Sequence, residues 1–352
     1  MKKFLSLMLL FALSLSVFAS CTSKTSGVKV GVSMPNNSSQ AGSNIKKIFE
    51  ERDYVVDLQY AQDISTQASQ LENMIGAGCK VLIIEAINSQ SLKVVLQKAK
   101  DNNVKVIAYD ILIRDSSNIS YYVTFDNYKV GVLQAQSLET ALGLKNGKGP
   151  FNIELFGGSL DDNNAYFFYD GAMGILQPYL DSGKLVVKSG QTAIDKIATS
   201  GSNGAAAQSR MENILTTFYA NDRVDAILSP YDDISIGVLN AVKDLGYGTS
   251  DKPIPFVSGQ DAEIASVKSI IAGEQYSTVF KDTRILSEKC LEIVNAILLG
   301  RTSSINDTKT HENGAIAVPS YLCTPIIVDK TNYKEVLIDS GYYTEAELQK
   351  SA

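Results

Sequence analysis

NIELFGGSLDDNNAYFFYDG, residues 152–171, is the stretch that decides the fold. An apolar run stops at Gly157-Gly158. Four short polar side chains follow: Asp161, Asp162, Asn163 and Asn164. Apolar residues then recur at helical spacing. Strand, turn and helix in that order form one half of a βαβ unit. In an open α/β sheet such a turn lies outside the carboxyl end of the strand, where these folds hold ligands. Carboxylates and amides accept and donate hydrogen bonds but offer no nucleophile. That chemistry suits a small polyhydroxylated guest.

The same alternation extends in both directions. Upstream, strands are expected over 28–34, 54–60, 81–85 and 104–110, with helices over 44–51, 66–75 and 91–101. Successive βα units of this kind imply a parallel sheet covered on both faces. A short strand over 121–126 closes this set, and the polar loop GLKNGKGP, 143–150, separates helix 128–141 from strand 152–156. Downstream, helices are expected over 165–179, 205–219, 234–245 and 263–272. Strands are expected over 185–188, 226–229 and 255–258. Beyond Ala272 the pattern changes: a strand over 276–281, a helix over 290–299, a polar loop over 301–314 and an extended run over 318–328 broken by Pro319 and Pro325. A last helical turn or two fits 342–350. Two tandem βα sets therefore predict an α/β protein of two Rossmann-like lobes, with several chain crossings between them. The expected division is 28–126 plus 282–319 for the N-terminal lobe and 127–281 plus 320–352 for the C-terminal lobe.

The N-terminus reads differently. Lys2 and Lys3 precede an apolar run from Phe4 to Phe18, with Ala19 and Ser20 after it, the pattern of a secretory signal over 1–20. Phe18-Ala19-Ser20-Cys21 resembles a bacterial lipoprotein signal, in which Cys21 becomes the lipidated first residue, with 21–27 as a polar tether. Ordinary cleavage after Ala19 is the alternative. The location implied is outside the cytoplasm, periplasmic or on the outer face of the membrane. Loss of Lys2 and Lys3 takes the net charge from −6 to −8. No basic stripe occurs, which argues against nucleic acid as a partner. Cys79, Cys290 and Cys323 share no metal-ligand spacing and read as small buried side chains, with one disulfide left open.

Polar residues follow the last apolar position of nearly every strand: Asn36–Ser39, Glu85 and Asn88, Asp110, Asp126-Asn127, Asp161–Asn164, Tyr231-Asp232, Gln260-Asp261 and Lys281-Asp282. In a two-lobed molecule these ends face one cleft. Asp232 fits a ligand contact and the N-cap of the following helix equally, Asp261 fits an N-cap too although the resemblance described below favours ligand contact, and Asp126-Asn127 fits the hinge alone. Asp110 precedes the apolar run Ile111-Leu112-Ile113, so its charge is expected to face the cleft. Catalytic signatures are lacking. The one histidine, His311, sits in a polar loop and reads as a solvated surface residue. No Ser/His/Asp set, HExxH, P-loop or GxGxxG is found. No enzyme activity, cofactor or metal is expected.

Several blocks together resemble the xylose and multiple-sugar branch of the type I periplasmic sugar-binding proteins, near the ChvE-type multiple-sugar receptors. They are Leu58–Ala61, Val106–Asp110, Phe125–Asn127, Gly149–Gly171, Leu228–Asp232, Ser258–Glu263, Ile270–Asp282, Asn306–Thr310 and Val318–Leu322. The resemblance implies two α/β lobes joined by three hinge strands and closing around one sugar. The implied partners are a monosaccharide or similar polyol and an ABC permease, with the membrane reached only through the lipid anchor and the protein a monomer. A ligand-presenting role toward a chemoreceptor or sensor kinase is the alternative. By position, Asp110, Asp162, Asn164, Asp261 and Lys281 would contact the ligand, with Tyr231 and Asp232 beside them. The chain departs from the branch where it matters. Pro35–Asn44 lacks the Arg-Trp pair usual in the first loop, Ile111 replaces an Arg, Gly201-Ser202 replaces a second Arg-Trp pair, and the chain has no Trp. Tyr166, Phe167, Phe168 or Tyr231 would have to supply an aromatic face. The expected guest is therefore other than an ordinary aldopyranose, or is held more weakly.

Overall fold

The computed structural model describes residues 27–36 and 38–349. The expected signal and Cys21 lie outside the described residues. Seven elements open the chain: β1 (Lys29–Pro35), α1 (Ser39–Glu50), β2 (Val55–Ala61), α2 (Ile64–Gly76), β3 (Val81–Ile84), α3 (Lys93–Asp101) and β4 (Lys105–Tyr109). β5 (Tyr121–Phe125) follows, and the chain then leaves the first sheet. The next set is α4 (Asn127–Leu142), β6 (Phe151–Leu155), α5 (Asn163–Asp181), β7 (Leu185–Val186), α6 (Ile194–Ile197), α7 (Gly204–Phe218), β8 (Ala226–Leu228), α8 (Asp232–Asp244), β9 (Phe256–Val257), α9 (Ile264–Ala272) and β10 (Ser277–Phe280). α10 (Thr283–Leu298) returns to the first lobe. β11 (Ser320–Cys323), β12 (Ile326–Asp329), a π-helical turn at Lys334–Asp339 and α11 (Glu345–Gln349) end the chain.

Two sheets result. The first runs β2-β1-β3-β4-β5-β11, and its strands are all parallel. The second runs β7-β6-β8-β9, again parallel, and the antiparallel pair β10-β12 continues it through a Gln260–Val279 bridge. β3 shows why both faces must be covered. Val81 and Ile83 pack toward α1 and α10 with Val30, Val32, Ile45 and Ile293, while Leu82 and Ile84 pack toward α2 and α3 with Leu71 and Leu96. All four β3 side chains are buried, so the strand reads as a continuous apolar run. The second lobe repeats the plan. Ile153 and Leu155 face Leu138 of α4 and Leu176 of α5, and Ile227 faces Met211 of α7 and Val238 of α8.

Glycines allow the closest helix contact. A Cβ on Gly131 of α4 would lie 1.9 Å from the Phe168 carbonyl oxygen, and one on Gly171 of α5 would lie 2.1 Å from that of Tyr128. The two backbones touch there because neither carries a side chain.

The chain crosses between lobes three times: after β5, after β10 and after β11. At the first two crossings an aspartate caps the helix entered. Asp126 accepts from the Lys129 amide at 2.9 Å and Asp282 from the Arg284 amide at 3.0 Å.

Several expectations need correction. β11 pairs with β5, so Ser320–Cys323 belongs to the first lobe, past the expected boundary at 319. α1 starts five residues before Asn44 and α10 seven before Cys290, because Ser38 and Asp282 end the preceding turns. α6 and the π turn had no periodic signal. His311 is buried rather than solvated, with 4% of its surface exposed; it packs between the Tyr122 and Phe167 rings, and its Nδ1 lies 2.8 Å from Asp307 Oδ2. Cys79, Cys290 and Cys323 are buried and free. Among the described residues no helix is long and apolar enough to cross a membrane.

Candidate functional site

In each sheet the strand order reverses beside the first strand, between β1 and β3 and between β6 and β8. The crevice at such a switch point is where doubly wound sheets bind. The two lobes furnish these crevices alike. After β1, the Ser38 hydroxyl donates to Glu85 Oε1 after β3, at 2.7 Å. After β8, the Tyr231 hydroxyl donates to Asp162 Oδ2 after β6, at 2.9 Å. Each crevice thus holds a carboxyl group pinned by a hydroxyl from the neighbouring strand end.

Between the lobes lies a cavity of about 300 Å³. Ser38, Glu85, Tyr109 and Asp110 line it from the first lobe; Asp261, Glu263, Lys281, Tyr342 and Tyr343 line it from the strand ends and chain terminus opposite. Its size falls at the lower end of small-molecule sites, roughly 300–1,000 Å³. A wider depression of about 560 Å³, running from Lys93 to Ala315, draws on the first lobe alone.

Of the residues predicted from sequence, Asp110, Asp261 and Lys281 reach the cavity wall. Lys281 follows β10 directly and points its ammonium at Asp261 Oδ1, 3.0 Å away. Burial works against that charge, but Asp110, Asp261 and Asp162 outweigh it and hold the Lys281 pKa above the usual lysine range. Asp110 and Asp261 sit at positive φ, +56° and +96°. Aspartate tolerates that region better than most residues, and such backbones cluster at ligand sites. Asp261 is not an N-cap; Glu263 occupies that position ahead of α9.

Asp162, Asn164 and Tyr231 stand just behind the wall. One Asp162 oxygen caps α5 through the Asn164 amide at 2.9 Å, and the other takes the Tyr231 hydroxyl. Burial raises the Asp162 pKa, and the charge of Asp110 adds to the rise. Asn164 is buried, and its side chain spans the lobes. Its Nδ2 donates to the Asp110 carbonyl oxygen at 3.0 Å, while its Oδ1 accepts from Asn127 Nδ2 at 2.9 Å and from the Tyr122 hydroxyl at 3.3 Å.

Asp232 does not belong to the cavity. It is 1% exposed, in the first turn of α8. Its carboxylate accepts from Gln275 Nε2 at 3.0 Å, from the Thr278 hydroxyl at 2.9 Å and from the Glu263 amide at 2.9 Å. Those bonds tie the ends of β8, β9 and β10 together behind the wall. Burial, then the nearby Asp261, drives its pKa far upward. Neither sequence alternative for Asp232 holds: Tyr231 occupies the N-cap position of α8, and the lobe interior takes up the Asp232 carboxylate.

Three contributors escaped the sequence reading. Glu85 was visible at a strand end but not singled out; its position after β3, opposite β1, is the signal. The aromatic wall comes from Tyr342 and Tyr343. Tyr342 stacks edge-on against Phe280 at 4.6 Å, and the Tyr343 hydroxyl donates to the Ala262 carbonyl 81 residues away. No local pattern announces a contact of that range. The aromatics expected there do otherwise: Phe168 packs on Tyr231 and Phe167 on His311. Among the described residues no cluster of His, Cys, Asp or Glu has the arrangement of a metal site.

Comparison with known proteins agrees with this architecture. A family model described as a periplasmic binding protein domain matches residues 30–302. The multiple sugar-binding periplasmic receptor ChvE of Rhizobium radiobacter is 54% identical, covering 99% of this chain and 100% of its own. The multiple sugar-binding periplasmic protein SbpA of Azospirillum brasilense is 58% identical over 91% of both chains. An ABC transporter solute-binding protein from Clostridium phytofermentans, solved with β-D-glucose, superposes with a TM-score of 0.85 at 48% identity, covering 91% of this chain and all of that one.

Proposed function

The chain belongs to the periplasmic binding protein family, a family of exported binding proteins rather than catalysts, and from that premise we propose that it captures a monosaccharide or related polyol between its lobes for an ABC importer. The observation that carries this reading is the convergence of charged side chains from both lobes on one cavity, with Asp110 on one wall and Asp261 and Lys281 on the other. Carboxylates accept from sugar hydroxyls and the ammonium donates charge-assisted bonds, so one ring can be held from both sides at once. The relatives that bind several sugars, and the neighbour holding glucose, support a sugar as the guest. The work is done by closure: ligand bonds reaching both lobes shift the open form toward the closed one.

Asp261→Ala tests the assignment. Calorimetry with the best ligand from a panel of pentoses, hexoses and polyols is expected to show affinity reduced by about thirtyfold, the scale of hydrogen bonds lost to a charged group. The melting temperature of the ligand-free protein is expected to stay close to the parent's. Unchanged affinity rejects the site.

Anchoring through Cys21 is part of the same proposal. Cys21→Ser is expected to move the protein from the membrane fraction to the soluble extracytoplasmic fraction. Retention of the variant in the membrane fraction rejects the anchor.

A further inference from the structure

The cavity carries a charge balance that a neutral guest leaves unanswered. Four carboxyl groups line it, Glu85, Asp110, Asp261 and Glu263, against one ammonium, Lys281. The charge of Asp162 reaches Asp110 and Lys281 from behind the wall. Lys281 is already paired with Asp261. No arginine lines the cavity, and the nearby Arg284 is committed to Asp282 and to the Ser340 carbonyl. Glu85 registers the imbalance. Burial first, then the Asp110 charge, pushes its carboxyl up to about 8, so near neutral pH the cleft relieves its own repulsion by keeping a proton there. The same wall presents the rings of Tyr342 and Tyr343. The Arg284 guanidinium already lies over the Tyr342 ring, 5.0 Å from its centroid, so it is the carboxylates that make the setting for an ammonium group in the cavity.

We propose that this cleft selects a monosaccharide bearing a protonated amine over its neutral counterpart, and rejects a sugar bearing a carboxylate. The inference rests on the cleft being the ligand site. The ammonium of an amino sugar takes over the neutralising role of the proton on Glu85. The Glu85 O–H bond gives up that proton to a water or buffer base as the sugar binds, and no bond between heavy atoms is made or broken. A sugar acid meets the opposite field and binds only against it.

Calorimetry at about pH 6.5, where an amine of ordinary basicity is charged, provides the test. D-Glucosamine, D-galactosamine and D-mannosamine are compared with their neutral parents, with N-acetyl-D-glucosamine and with D-glucuronate, each in two buffers of different ionisation enthalpy. At least one amine is expected to bind roughly tenfold tighter than its parent, the scale of one charge-assisted hydrogen bond. N-acetyl-D-glucosamine is expected to lose that advantage, and D-glucuronate to give no binding heat. Amine binding should release a proton, read as an enthalpy difference between buffers, while a neutral sugar releases none. In Glu85→Gln the proton release should vanish and the preference narrow. The wild-type buffer comparison stands even if that variant folds poorly. Neutral sugars binding as tightly as their amines, with no proton released, overturn the inference and leave the sugar-binding reading intact. No binding by any sugar, charged or neutral, rejects both.

Discussion

Glu85 shows what a single side chain inherits from its place in the chain. It follows four buried apolar residues of an interior strand and therefore arrives at the carboxyl end of the sheet with little water around it. The Ser38 hydroxyl stabilises its charged form, but burial and the Asp110 charge prevail. The consequence for stability has a definite sign. A carboxyl whose pKa rises from 4.5 to about 8 on folding binds more protons folded than unfolded in that interval. Its contribution is complete below pH 4.5 and is lost as pH climbs through about 8. Chemical unfolding of the ligand-free protein across this window should show stability falling with pH, and Glu85→Gln should flatten the slope; an unchanged slope in the variant removes Glu85 as its source. Asp307 acts in the opposite sense. Burial raises its pKa, but bonds from Thr310, His311 and the backbone overcome that and hold it at about 2, below the ordinary 3.8. Its contribution is present above pH 3.8 and disappears as pH falls toward 2. Both groups were visible in the sequence as charged residues near strand or loop ends. Their opposite shifts were not, because each depends on neighbours distant in the chain.

At the scale of elements, the α4–α5 contact is set by residues with no side chain. Gly131→Ala would push a methyl group into the Phe168 carbonyl, and the helices must part. A loss of about 2–3 kcal/mol is expected from such overpacking. Gly76, the last residue of α2, is a suitable contrast, since a Cβ there meets nothing within 4 Å. Gly76→Ala should be neutral or gain up to about 1 kcal/mol through helix propensity. Denaturant unfolding of the two variants reads both signs, and equal effects would show that packing at Gly131 is looser than the contact implies. The start of α5 carries a second lesson. DDNN was legible as a polar turn, and the structure divides its labour: Asp162 caps the helix, while Asn164 turns across to the other lobe. A turn motif fixes where polar atoms stand, but their partners come from elements folded elsewhere.

For the whole molecule, the decisive bonds are those between lobes. Asn164, on the second lobe, holds the Asp110 carbonyl and the Tyr122 hydroxyl of the first. These bonds can form only when the lobes approach, so they favour the closed arrangement alongside the ligand. Asn164→Ala is expected to weaken sugar affinity by about tenfold, in line with one or two buried hydrogen bonds. It should also leave the ligand-bound protein with a larger radius of gyration in small-angle scattering. Wild-type compaction in the variant would assign closure to other contacts.

The sequence by itself determined the two βα sets, the order of nearly every element and the polar character of the strand ends. It could do so because strand and helix periodicity and turn chemistry are local properties. It also set Asp110, Asp261 and Lys281 at strand ends, and the family resemblance, rather than periodicity, singled them out from the other polar residues there. Only the tertiary structure decided that β11 returns to the first sheet, that Asp232 turns inward, that His311 is enclosed by two rings and that the chain's last tyrosines wall the cavity. Each of those depends on which distant segments meet, and burial and charge pairing across such contacts leave no period in the chain.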